Sequence, residues 1–128
     1  MTISYIIFVI IFAAAIVADI YDIRLTVAGI KKGVGVEGNS IITTLAGTNK
    51  PTWFQLLWIN MLVPILPIGI PGLIFSYQNT PGAVFFSICM AFQVYGHWRG
   101  GRAWVYLING GNPNLYENKW WQKFLDIN

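Results

Sequence analysis

The sequence predicts an all-α integral membrane protein with three transmembrane helices and a C-terminal amphipathic segment on the membrane surface. Hydrophobic residues make up 55% of the 128 positions and charged residues only 10%, whereas a typical soluble domain carries about 25% charged residues. So few charges cannot cover the surface of a water-soluble fold of this size. Three long apolar stretches account for the excess, so we expect a single membrane domain over residues 1–128.

The first span is predicted over residues 3–30. This stretch contains no proline, and its charged residues, Asp19, Asp22 and Arg24, lie in its second half. One helix of this length is longer than the roughly 30 Å hydrocarbon core of a bilayer, so its polar end should emerge from the lipid. The residues before it lack the basic group that opens a secretory signal, so we expect a span rather than a cleaved leader.

A polar linker separates the first span from the second. It is rich in glycine, asparagine and threonine, which favour turns and loops. Its apolar stretch over residues 41–46 is too short to cross a membrane, so we expect it at the interface. The second span is predicted over residues 53–77, with tryptophan and tyrosine near its ends as interfacial anchors. Three prolines are expected to kink this helix: Pro64, Pro67 and Pro71.

The third span is predicted over residues 83–108, after a short turn that contains Pro81 and Gly82. In the tail, residues 109–128, apolar and aromatic side chains alternate with charged ones. That pattern is typical of a helix lying on a membrane surface or against a partner. The apolar members of the tail are Leu115, Trp120, Trp121, Phe124 and Leu125.

The distribution of basic residues predicts the orientation. The linker carries three lysines and the third span ends with Arg99 and Arg102, whereas the turn between the second and third spans is uncharged. The positive-inside rule then places the linker and the C-terminus in the cytoplasm and the N-terminus outside. A net charge of +3 spread along the chain lacks the dense basic stripe of a nucleic-acid surface, so we expect no nucleic-acid partner.

Ionisable residues gather near the predicted cytoplasmic boundary. Asp19 and Asp22 are three residues apart and share a helical face, and His97 lies at a similar depth in the third span. With Glu37 from the linker, these groups would form a metal or polar-ligand site. Carboxylate oxygens and an imidazole nitrogen together can hold a divalent transition metal.

A second hypothesis for the same residues is structural. Asp19 and Asp22 would form ion pairs that hold the spans together, because a charge near hydrocarbon is costly unless it is paired. The arginines within reach are Arg24, Arg99 and Arg102. A third hypothesis is that these side chains contact water or lipid headgroups at the interface.

A pair of glycines marks the expected contact between spans. Gly96 and Gly100 are four residues apart in the third span, so they lie on one face of the helix. Such a strip of small residues lets another helix approach closely.

The sequence assigns no catalytic residue and no cofactor, because it contains no nucleophile elbow, no phosphate-binding loop and no CxxC pair. Three helices alone bury little surface and cannot enclose a pathway. We therefore expect a small accessory subunit that packs against and stabilises the transmembrane helices of a larger membrane complex, with lipid and other subunits as its partners. The alternative is a membrane-embedded metal- or polar-ligand-binding protein, or an enzyme, that uses the Asp/His cluster near the cytoplasmic face.

Overall fold

The structure is a computed structural model that describes residues 1–111, and within that range every regular element is a helix. The elements are α1 (Ile3–Lys32), α2 (Ser40–Ala46), α3 (Trp53–Asn60), a π-helical turn (Met61–Ile65), α4 (Leu66–Phe75) and α5 (Thr80–Ile108). The amphipathic helix predicted for the tail lies, from residue 112 onward, outside the described residues.

The first long helix, α1, follows the predicted stretch and continues two residues beyond it. The hydroxyl of Thr2 caps its start by accepting a hydrogen bond from the Tyr5 amide at 3.1 Å. Its end is set by Gly33, whose left-handed backbone (φ 72°) closes the last turn. The two lysines before that glycine therefore belong to the helix, where their charge complements the carbonyl end.

The second helix is continuous from Trp53 to Phe75, although its hydrogen-bonding pattern changes midway. Thr52 and Gln55 form a reciprocal capping box at its start. Pro64 has no amide hydrogen and lies inside the π-helical turn. The predicted proline irregularity therefore takes the form of a widened turn, and the chain continues directly into α4.

The third long helix, α5, begins three residues earlier than predicted. Asn79 is the residue before the helix. Its side chain accepts a hydrogen bond from the Gly82 amide at 3.1 Å and so caps the first turn. Pro81 is favourable in a first turn, because the missing amide hydrogen would have no partner there. The residues expected to form a turn therefore begin the helix.

Aromatic rings packed on glycines hold the helices together. Phe8 and Phe12 of α1 lie against Gly72 and Gly69 of α4, so closely that a Cβ on either glycine would overlap the ring. The buried core beside these contacts consists of Phe8 and Ala15 of α1 and Met90 of α5. α1 makes the same kind of contact with α5, through Tyr21 on Gly101 and Trp104 on Gly29.

The outer surface of this bundle is apolar. Two of the described helices, Ile3–Lys32 and Trp53–Phe75, are long and apolar enough to cross a membrane, which favours membrane insertion. α5 does not meet the same criterion, because the second half of its sequence is polar. Large side chains that are more than half exposed include Ile10, Val17, Ile74, Phe85 and Phe92.

Candidate functional site

Two facing stripes of polar and small residues form the site. On α1 the stripe is Asp19, Asp22, Thr26 and Gly29, and on α5 it is Gln93, His97, Gly100 and Trp104. Spacings of three and four residues keep each stripe on one side of its helix. Since α1 packs mainly against α5, the helical repeat brings the two stripes together.

His97 lies between the two aspartates of α1. Its Nδ1 is 3.0 Å from Asp22 Oδ2 and 3.5 Å from Asp19 Oδ1. An ionised carboxylate only accepts hydrogen bonds, so Nδ1 of His97 is the donor in its contact with Asp22. The Asp19 side chain is fully buried, whereas the side chains of His97 and Asp22 are 13% and 21% exposed.

Asn60 connects the second helix to this pair. It is the last residue of α3, and its Nδ2 donates a 2.7 Å hydrogen bond to Asp19 Oδ1. The other carboxylate oxygen, Asp19 Oδ2, is buried and has no hydrogen-bond partner among residues 1–111. A buried carboxylate with one unpartnered oxygen is energetically costly, which is more typical of a functional site than of a packing contact.

Gly100 leaves room for Asp22. A Cβ at this position would lie 2.8 Å from Asp22 Oδ1, so a larger residue would push the carboxylate away from His97. The Thr26 hydroxyl donates to the same oxygen over 3.5 Å. Gly96, the other member of the predicted packing pair, has nothing within 4 Å of its Cβ position and borders a cavity instead.

The linker after α1 adds Glu37 and Asn39 to the site. The Glu37 amide donates a hydrogen bond to the Asn49 carbonyl at 2.9 Å. This bond joins the segment after α1 to the segment before α3. Glu37 Oε1 accepts a hydrogen bond from the Asn39 amide at 2.8 Å. Asn39 Oδ1 in turn caps α2 at the Ile41 amide, 3.0 Å away.

These elements line an open cavity of about 460 Å³. Its wall combines charged, amide and aromatic side chains, and among the described residues no lysine or arginine lines it. The polar and aromatic lining comprises Asp22, Thr26, Glu37, Asn39, Asn60, Gln93, His97 and Trp104.

The structure thus brings Asp19, Asp22 and His97 together and places Glu37 on the wall of the same cavity. Within residues 1–111, however, no group of three or more histidine, cysteine, aspartate or glutamate side chains is arranged to hold a metal ion. The predicted four-ligand set is therefore not assembled as a coordination sphere. In the linker, the Glu37 carboxylate is held by a backbone amide instead.

Within residues 1–111, the cationic side chain that lies beside Asp19 and Asp22 is His97. The contacts of the two aspartates within the described residues are to His97, Asn60 and Thr26. Arg24 follows Asp22 by two residues, and Arg99 follows His97 by two. A spacing of two turns a side chain to the opposite side of an α-helix. Arg102 lies a further three residues along α5.

Asn39 and Trp104 were not predicted from the sequence as site residues. The ring of Trp104 packs on Gly29 and on Gly35. The signal that identifies it is spacing, since it follows His97 by seven residues, or two helical turns. Asn39 offered no comparable signal, because its position depends on the path of the linker.

Comparison of the chain with protein-family models, curated proteins and solved structures finds no match. Its function is therefore inferred from the cavity and from the residues that line it.

Proposed function

We propose that this chain is a three-span integral membrane protein that binds a small polar ligand in the cavity between α1, α3 and α5. The observation that carries the proposal is His97, held between Asp19 and Asp22 at the wall of a 460 Å³ cavity. Ionisable side chains between apolar helices are costly to maintain and are commonly functional. The cavity volume falls within the range of about 300–1,000 Å³ that is usual for small-ligand pockets.

The distribution of side chains on α5 supports the third span. The helix has 29 residues, which gives a length of about 43 Å, enough to cross a bilayer. Its residues that line the cavity, Gln93 and His97, face the interior, whereas Phe85, Ile88 and Phe92 are exposed. The surface offered to lipid is thus more apolar than the average sequence of the helix.

The proposed orientation places the cavity near the cytoplasmic face. The positive-inside rule assigns the lysine-bearing linker and the C-terminus to the cytoplasm, and the N-terminus to the outside. Glu37 and Asn39 of that linker line the cavity. A ligand would therefore enter from the cytoplasmic side.

The test is to identify what the purified protein carries. The chain is purified in mild detergent, denatured, and the released small molecules are measured by mass spectrometry. Wild-type protein should release a polar compound in near-stoichiometric amount, and Asp22→Asn should release much less. Gln78→Ala, at an exposed position before α5, is the control and should behave as wild type. Release of the same compounds in the same amounts from Asp22→Asn would reject the proposal.

The second candidate function is that of an accessory subunit of a larger membrane complex. An apolar groove of about 400 Å³ between α1 and α5 favours it, because small and large side chains along the groove could accept those of another helix. The groove is lined by Ile10, Ala14, Ala91, Val94 and Tyr95 among others. Native mass measurement in mild detergent should then show a particle containing other polypeptides. A stable monomer of 14.4 kDa would exclude this function.

A further inference from the structure

We infer that the ligand of this cavity is a small organic cation that carries a primary ammonium group. This inference rests on the proposed function and names the ligand class of the same site. It follows from the charge of the wall, from its hydrogen-bonding atoms and from one aromatic ring.

The first argument is charge. Two carboxylates, Asp22 and Glu37, line the cavity, and His97 is the single lining side chain among the described residues that can become positive. Asp19 lies directly behind His97, fully buried and with one oxygen lacking a hydrogen-bond partner within residues 1–111. Carboxylates thus outnumber cationic groups, and a cation is the ligand that offsets their charge between apolar helices.

The second argument is the match of donors to acceptors. Asn60 uses its Nδ2 to bond Asp19, which leaves its Oδ1 as the atom that can accept from a ligand. Asp22 and Glu37 also line the cavity, and an ionised carboxylate can only accept hydrogen bonds. A primary ammonium carries three donors and no acceptor, so it suits the carboxylate and amide oxygens of this wall.

The third argument separates an organic cation from a metal ion. In the part of the chain that the structure describes, no set of side chains has the arrangement of a metal site. Trp104 supplies instead a large aromatic wall, fixed in place by contact with Gly29 and by a 3.0 Å approach to the Cβ position of Gly35. Aromatic faces attract organic cations by a cation–π interaction.

The test uses three probes of equal carbon number and different charge: 1,4-diaminobutane, 1,4-butanediol and succinate. Each is titrated calorimetrically into the full chain in detergent. The diamine should bind, and the diol and the dianion should not. Glu37→Gln should weaken diamine binding by about tenfold or more, because it removes a charged hydrogen-bond acceptor. Gln78→Ala, at an exposed position before α5, is the control and should leave the affinity unchanged.

Nanodiscs distinguish the two natural sources of such a group, a free amine and a lipid headgroup. If a lipid headgroup occupies the site, nanodiscs containing phosphatidylethanolamine should compete with the diamine, and nanodiscs of phosphatidylcholine alone should not. If a free amine is the ligand, both should give the same affinity.

Two results would overturn the inference. The first is that the diol or succinate binds in a Glu37-dependent way, with no preference for the diamine. That result would refute the inference that the ligand is a cation, and it would leave the polar-ligand function in place. Failure of the diamine to bind folded protein, with helicity verified by circular dichroism, would also refute it. The released-ligand measurement decides the proposed function independently.

Discussion

The buried hydrogen bond between Asp19 and Asn60 is the contact on which the polar layer depends. Replacing Asn60 with leucine would leave Asp19 with His97 alone, at 3.5 Å. We expect the free energy of unfolding to fall by about 1–3 kcal/mol, which is the usual cost of stranding a buried polar group. Denaturant unfolding followed by circular dichroism measures the change.

A double substitution is the control for that prediction. Asp19→Leu combined with Asn60→Leu removes both polar groups, so the loss should be smaller than the sum of the two single losses. Strictly additive losses would show that the two side chains do not stabilise one another.

The depth of each site residue along its helix could be predicted from the sequence. Because each residue adds a constant rise, the sequence placed Asp19, Asp22 and His97 in one layer, as the structure shows. The part played by Asn39 was not predictable in the same way. It depends on hydrogen bonds within the linker, for which the sequence offers no regular repeat.

Among the helices, glycine-to-aromatic contacts determine which faces meet. Gly69→Ala would place a methyl group so close to Phe12 that it overlaps atoms of the ring. We therefore expect it to lower the free energy of unfolding by about 1–3 kcal/mol. Gly96→Ala is the matched control, because nothing lies within 4 Å of its Cβ position. It should be neutral or stabilising by up to about 1 kcal/mol. Thermal unfolding of both variants measures the difference, and equal losses would contradict this account of the packing.

The helices were easier to predict than their contacts. Long apolar stretches indicated the three long helices, and the predicted ends differ from the structure by a few residues. The small-residue spacing predicted a contact at Gly96 and Gly100, but the rings of α1 come closest to three other glycines: Gly69, Gly72 and Gly101. Spacing shows that glycines share a face and does not show which ring lies opposite.

For the whole molecule, the decisive prediction concerns the number of spans. Single cysteines replace Asn49, Gln78 or Asn109 in a Cys89→Ser background, and an impermeant thiol reagent is applied to sealed cells. With three spans, Gln78→Cys should react from outside, whereas Asn49→Cys and Asn109→Cys should react only after the membrane is opened. If Asn109→Cys instead reacted together with Gln78→Cys, α5 would not cross the bilayer.

The π-helical turn determines the direction in which the side chains of α4 point around the helix axis. It holds one residue more than an α-helical turn would, and one residue corresponds to about 100° of rotation around the axis. Asn60, before the turn, points to the polar layer, and Gly69 and Gly72, after it, point to the rings of α1. An uninterrupted α-helix could not keep both alignments. Adding or removing a single position between Asn60 and Gly69 would therefore break one of the two alignments.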